Sequence, residues 1–271
     1  MIAAATVHAP YLTGWPDRAR KPDLAATMDG FARLSEAYGA AEIDTLVVVT
    51  SEHIVNLSPK MAPPFMIGCG DRHPVFPERH FNLPVEDIKG DAAFAKALTR
   101  GFYDAGFEPA HSTELVLDHG TIVPLHLMKL AEAVSVIPIV VNSIFAPLPS
   151  LARCAQFGRT LGKLIDELGG SRRIGLLATG GLSHSVGTPG VFDVDRDLDR
   201  WILKSLLAGD VEAVCEIADA ELDAAGNGTH EIRNWIVVAA ASQPRKPVTI
   251  TRIPFAEGWN MGVHQLLWED V

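Results

Sequence analysis

Short apolar runs rich in β-branched residues, alternating with segments of helical periodicity, set the tightest limit on what this chain can fold into. Residues 46–50 form a continuous β-branched and leucine run of the kind that a strand buried on both faces requires, and 136–144 and 174–178 read as further strands. Helical spacing covers about 24–41, 91–105, 125–133 and 151–168, then 195–225 as two helices broken near Gly209-Asp210. Thr229 is placed to cap a further helix over 230–241, and 248–253 alternates as a last strand, stopped by Pro254. Strands separated by helices predict a three-layer α/β/α sandwich, with a mixed sheet because the order is not a clean βαβ repeat. No Gly/Ser or Pro linker cuts the sequence, so the reading is one domain over 1–271. The segment 56–84, with many prolines and Gly68 and Gly70, reads as a long irregular loop, and such loops usually cover something.

Composition removes several function classes. A chain of 271 residues that is 48% hydrophobic can bury a large core, and its net charge of −10 leaves no basic field for nucleic acid. The apolar runs fall well short of the ~20 residues a membrane helix needs. The first residues enter a strand-like run with no basic region or cleavage signal, so the expectation is a cytoplasmic protein with neither membrane nor nucleic-acid partners. Cys69, Cys154 and Cys215 are an odd, widely spaced set without a CxxC pair, which argues against disulfides and thiolate metal sites. Any metal would be held by nitrogen and oxygen.

Three of the apolar runs lead to a histidine where a strand would end: His8, His53 and His184. Ligands of open α/β sheets collect beyond the carboxyl ends of strands, so these imidazoles can meet in space. His8, His53 and Glu231, in the first turn of a helix, supply the two nitrogens and one carboxylate that suit Fe(II) with open positions. Plainer roles remain open: a strand-end histidine can bond a loop, and a first-turn glutamate is favoured by the helix dipole. His184 follows Gly180-Gly181, whose backbone can turn sharply toward a ligand. His119 follows Asp118, which could orient a ring nitrogen, although adjacent side chains more often diverge. His126 reads as a packing residue, and His73, His80, His111, His230 and His264 as surface or loop histidines. No G-x-S-x-G elbow supports Ser183 or Ser185 as a nucleophile, and Gly-Asn-Gly and Thr-Gly-Gly are too short to cradle phosphate.

Taken together, the segments ending at His8, Thr50-Ser51-Glu52-His53, Leu117-Asp118-His119-Gly120 with Pro124-Leu125, Ile137-Pro138 with Val141-Asn142, Thr179-Gly180-Gly181-Leu182-Ser183-His184, and Gly228-Thr229-His230-Glu231 before Trp235 form an ordered set over nearly the whole chain. The set resembles the class III extradiol ring-cleavage dioxygenases, in particular the protocatechuate 4,5-dioxygenase β-subunit family. The resemblance implies Fe(II) held by His8, His53 and Glu231, an acid/base His184, and a second active-site histidine at His119. It implies a small aromatic substrate with a chelating pair of heteroatoms (a catechol, gallate, aminophenol or dihydroxypyridine), consumption of O2, and a ring-opened product of the muconate-semialdehyde type. Asn260, in Gly258-Trp259-Asn260-Met261-Gly262, falls where relatives contact the ring substituent. No small helical lid domain is appended, so the chain works alone, as a homo-oligomer, or with a separate small subunit. The competing readings are a non-catalytic partner of the same fold and a zinc hydrolase using the same ligands.

Overall fold

The computed structural model describes residues 1–191 and 193–269. Its strands are β1 (Ile2–Thr6), β2 (Thr45–Thr50), β3 (Phe65–Gly68), β4 (Arg72–His73), β5 (Ile88–Lys89), β6 (Ala110–Ser112), β7 (Ser135–Val141), β8 (Ile174–Thr179), β9 (Val248–Ala256) and β10 (Met261–Trp268). Its helices are α1 (Tyr11–Gly14), α2 (Lys21–Ala40), α3 (Ala92–Asp104), α4 (His119–Leu127), α5 (Leu151–Leu168), α6 (Arg196–Ala208), α7 (Val211–Cys215), α8 (Asp219–Ala224) and α9 (Ile232–Ala241). One mixed sheet runs in the order β6-β3-β7-β2-β8-β1-β10-β9, and β4 and β5 form a separate small pair. The central four, β7, β2, β8 and β1, are parallel, whereas β10 is antiparallel to β1 and β3 to β7. Every residue of those four parallel strands is buried, because helices cover both faces. The α/β/α sandwich read from the alternating periodicities is the observed architecture.

One face of the sheet is covered by α3, α5 and α9. Ser150 caps α5 by accepting from Arg153 N–H, and the apolar residues Leu151, Phe157, Leu161, Leu164 and Ile165 recur at helical spacing on its buried side. The Phe157 ring stacks between Phe65 and Phe102, at 4.2 and 4.1 Å, and burying each such ring contributes roughly 2–3 kcal/mol. Gly158 lets α9 approach: a Cβ there would fall 2.2 Å from the Val237 carbonyl oxygen. The opposite face buries Phe31, Leu34 and Tyr38 of α2 beside Ile122 and Leu125 of α4.

Several boundaries differ from expectation, each for a physical reason. The helix expected at 125–133 begins at His119, because the Asp118 carboxylate caps it by accepting from Gly120 N–H at 2.8 Å. The strand 248–253 continues through Pro254 to Ala256, which is tolerated because β9 is an edge strand with no further ladder to supply. β10 returns beside it and was not anticipated. The segment 195–225 forms three helices rather than two, since α6 ends at Gly209 with φ of 79° and a second break separates α7 from α8. Thr229 does not cap α9 with its side chain; it opens a 3-10 turn, Thr229–Glu231, that leads into the helix. The supposed loop 56–84 contains β3 and β4, too short for periodicity to reveal. No helix among the described residues is long and apolar enough to cross a membrane.

Candidate metal centre

The C-terminal ends of β2, β8 and β1 stand side by side, and the segments beyond them carry His53, His184 and His8. Glu231 arrives from the turn ahead of α9. Its Oε1 lies 3.1 Å from His8 Nε2 and 3.6 Å from His53 Nε2. Its Oε2 accepts a 2.6 Å hydrogen bond from Gly181 N–H and lies 3.9 Å from His184 Nε2. Gly180 makes that turn possible, with φ of 138° and no room for a Cβ, which would fall 2.9 Å from Glu231 Cβ. His8 and Glu231 are nearly fully buried.

The backs of the imidazoles are held by the fold. Asp118 Oδ2 accepts from His53 N–H at 2.7 Å and sits 3.1 Å from His53 Nδ1, which turns Nε2 toward Glu231. Asp118 therefore orients His53 across the sheet end rather than its neighbour His119. Glu78 takes His119 instead, at 2.7 Å from its N–H and 2.8 Å from Nδ1. His184 Nδ1 donates to the Leu182 carbonyl at 2.8 Å, which leaves Nε2 as the free acceptor. His8 Nδ1 meets Thr179 Oγ1 at 3.1 Å.

Electrostatics follow from this packing. Burial outweighs the pull of Glu231 and sets His8 below the ordinary imidazole range. Burial also opposes charge on His53, but Asp118 and Glu231 together hold that imidazole up to about 10. For Glu231 the burial penalty is overcome by His8, His53 and His184, which hold it well below the usual carboxylate range. Burial likewise disfavours charge on Asp118, yet His53 and His119 bring it down to about 2.

Two donor sets could bind an ion here. The donor atoms of His8, His53 and His119 lie within 4.8 Å of one another. Bonds of about 2.1 Å to an octahedral ion place adjacent donors about 3 Å apart. The separations of Glu231 Oε1 from the two imidazoles are close to that value. His119 is stacked on His53, with ring centroids 3.9 Å apart and 32° between the rings. Both Glu231 and His119 thus stand within reach of an ion held by His8 and His53.

All five side chains named from the sequence as ligands or acid/base groups thus meet. Asn260 stands in the β9–β10 turn with φ of 57°, its backbone N–H donating to the Ala256 carbonyl, and makes no hydrogen bond to these five side chains. The segment 56–84 reaches the site through Glu78 and Phe81. Met61 and Phe76 are exposed, and Phe65 and Met66 are buried on β3. Phe81 packs edge-on against His119 at 5.5 Å, and Glu78 bonds it. No periodicity or spacing marks Glu78, because its role depends on where a loop lands. His73, His230 and His264 are buried rather than superficial, and His126 is exposed rather than packed. A cavity of about 930 Å³ lies beside Ser185, Asp195, Arg196 and Gly226 and includes none of the five site side chains.

Comparison with known proteins agrees with this geometry. Residues 2–255 match the model of the family described as the catalytic LigB subunit of aromatic ring-opening dioxygenase. Curated relatives named 2,3-dihydroxyphenylpropionate/2,3-dihydroxicinnamic acid 1,2-dioxygenase include one from a Rhodococcus species, 24% identical over 259 residues, covering 79% of this chain and 81% of the relative. Another, from Mycolicibacterium smegmatis, is 27% identical over 248 residues, covering 73% and 76%. Among solved structures, an uncharacterized Escherichia coli K12 protein superposes with a TM-score of 0.59 at 15% identity, covering 99% of this chain and all of that one, a likeness of fold. The chain belongs to the family of catalytic LigB subunits of aromatic ring-opening dioxygenases and is a class III extradiol dioxygenase.

Proposed function

We propose that His8, His53 and Glu231 hold Fe(II) and that the chain, acting as one catalytic domain, opens the ring of a vicinal dihydroxy-aromatic with O2. The observation that carries this reading is Glu231 Oε1, 3.1 and 3.6 Å from two imidazole nitrogens while its partner oxygen is occupied by Gly181 N–H. Two neutral imidazoles and one carboxylate on one side of an ion fit the donor set of non-haem Fe(II) oxygenases. When bound, the iron would accept the diol as a chelating ligand, bring O2 beside it and pass electrons from the ring to O2, the substrate being the source of all four.

The chain's own residues do the rest. His184 Nε2, a free acceptor facing the carboxylate, takes the proton of a substrate hydroxyl. His119, held at Nδ1 by Glu78 and stacked on His53, keeps Nε2 available to return a proton to the oxygen released when the O–O bond breaks. Phe81, edge-on to His119 at 5.5 Å, would shield that imidazole from water. The names of the relatives put catechols carrying a short acid chain first among substrates. Exposed Ile54, Ile144 and Val186, which follow β2, β7 and β8, support a second copy or a small partner chain over the mouth.

Oxygen uptake by Fe(II)-reconstituted protein on a panel of catechols, gallate, aminophenols and dihydroxypyridines tests the reading. Uptake with a yellow ring-opened product is expected. No uptake on any member, with iron bound, would favour a non-catalytic partner; hydrolysis with zinc would favour the hydrolase.

A further inference from the structure

We propose that Thr179 and Thr50 form a two-hydroxyl relay that fixes the tautomer of His8, so that its Nε2 lone pair is the one presented to the metal. The inference rests on the metal reading above and assigns positioning roles to two residues that would touch neither metal nor substrate. The Thr50 hydroxyl donates to the Ser51 carbonyl at 2.9 Å, an oxygen that can only accept. The Thr50 oxygen therefore accepts from Thr179 Oγ1 at 2.8 Å. A hydroxyl has one proton, and that of Thr179 is spent on Thr50. At 3.1 Å, His8 Nδ1 must then be the donor to Thr179.

A neutral imidazole protonated at Nδ1 carries its lone pair at Nε2, the atom 3.1 Å from Glu231 Oε1. Two lone pairs at that separation are stable only with a cation between them. Thr179 is 0% exposed, Thr50 2% and His8 4%, so bulk water offers no substitute partners. The sheet register builds the relay. Thr6 pairs with Thr179, and Val49 with Ala178, which sets Thr50 level with Thr179 on the adjacent strand while His8 leaves β1 on the other side. Breaking the chain of donors would allow the opposite tautomer, in which Nε2–H bonds Glu231 and occupies the metal's place.

The test is Co(II) titration of the metal-stripped full chain, by competition with a chelator, for Thr179→Val, Thr50→Val and the matching serine variants. Loss of an outer-shell partner typically weakens metal binding about 10–100-fold, and both valine variants should show it while the serine variants recover wild-type binding. Thr50→Val is the decisive one. It changes no group in contact with His8, but frees the Thr179 proton to donate to Nδ1, and it stands alone should Thr179→Val fail to fold. A purely structural role would lower the melting temperature and leave affinity unmoved. Wild-type affinity in Thr50→Val, or serine variants as weak as the valine ones, would overturn the relay. Failure of the wild-type chain to bind Co(II) would overturn the metal reading itself.

Discussion

Asp118→Ala removes three hydrogen bonds at once, and its effect can be worked out bond by bond. The carboxylate accepts from Gly120 N–H at the start of α4, and from His53 N–H and Nδ1. Losing a helix N-cap costs about 1 kcal/mol, and leaving the two part-buried donors of His53 unmatched costs about 1–3 kcal/mol each. The total is about 3–7 kcal/mol, which at about 2–4 °C per kcal/mol for a chain of this size lowers the melting temperature by about 6–28 °C. The pH dependence carries a sign. Asp118 is held down to about 2 against an ordinary value of 3.8, so its contribution is present above pH 3.8 and is lost as pH falls through about 2. His53 is held up to about 10 against 6.5, so its contribution is whole below pH 6.5 and is lost as pH rises through about 10. Thermal melts of metal-stripped wild type and variant, followed by circular dichroism from pH 3 to 10, should therefore differ most between about pH 4 and 6.5 and converge on either side. A constant gap across that range, or one under about 1 kcal/mol at pH 5, would refute the argument that this pair locks His53.

His184→Ala should retain iron and lose about 10²- to 10⁴-fold in ring cleavage, the usual range for removing an acid/base group, checked by metal content and oxygen uptake. Gly228→Ala should resemble it, because the new Cβ would fall 2.2 Å from His184 Nε2 and displace the ring without touching a ligand; unchanged turnover would argue against a role for that nitrogen. Metal binding must displace the proton that His53 holds up to about 10, so log affinity should rise by about one per pH unit between 6.5 and 8, measured by Co(II) titration; a flat profile would contradict the assignment of His53 as a ligand.

The layers of the fold were legible because β2, β7 and β8 are buried on both faces and so must be apolar throughout, while α5 must be apolar on one side only. β3 and β6 were not, since strands of four and three residues are too short to display a period. β9 misled for a local reason: Pro254 ends a central strand but not an edge one. Within the site, His8, His53, His184 and Glu231 could be named because strand ends and glycine turns mark where chemistry gathers. What positions them could not. Asp118 serves His53 from 65 positions away, and Glu78 serves His119 from 41, distances that only the folded sheet closes.

The claim on which everything else depends is that Glu231, with His8 and His53, holds the iron. Anomalous diffraction at the iron edge from anaerobically grown, Fe(II)-loaded crystals measures it directly. The account predicts a single strong peak within about 2.0–2.3 Å of His8 Nε2, His53 Nε2 and Glu231 Oε1, with His119 and His184 unbound. A peak ligated by His8, His53 and His119 with the Glu231 carboxylate turned away, or iron located elsewhere in the chain, would contradict it.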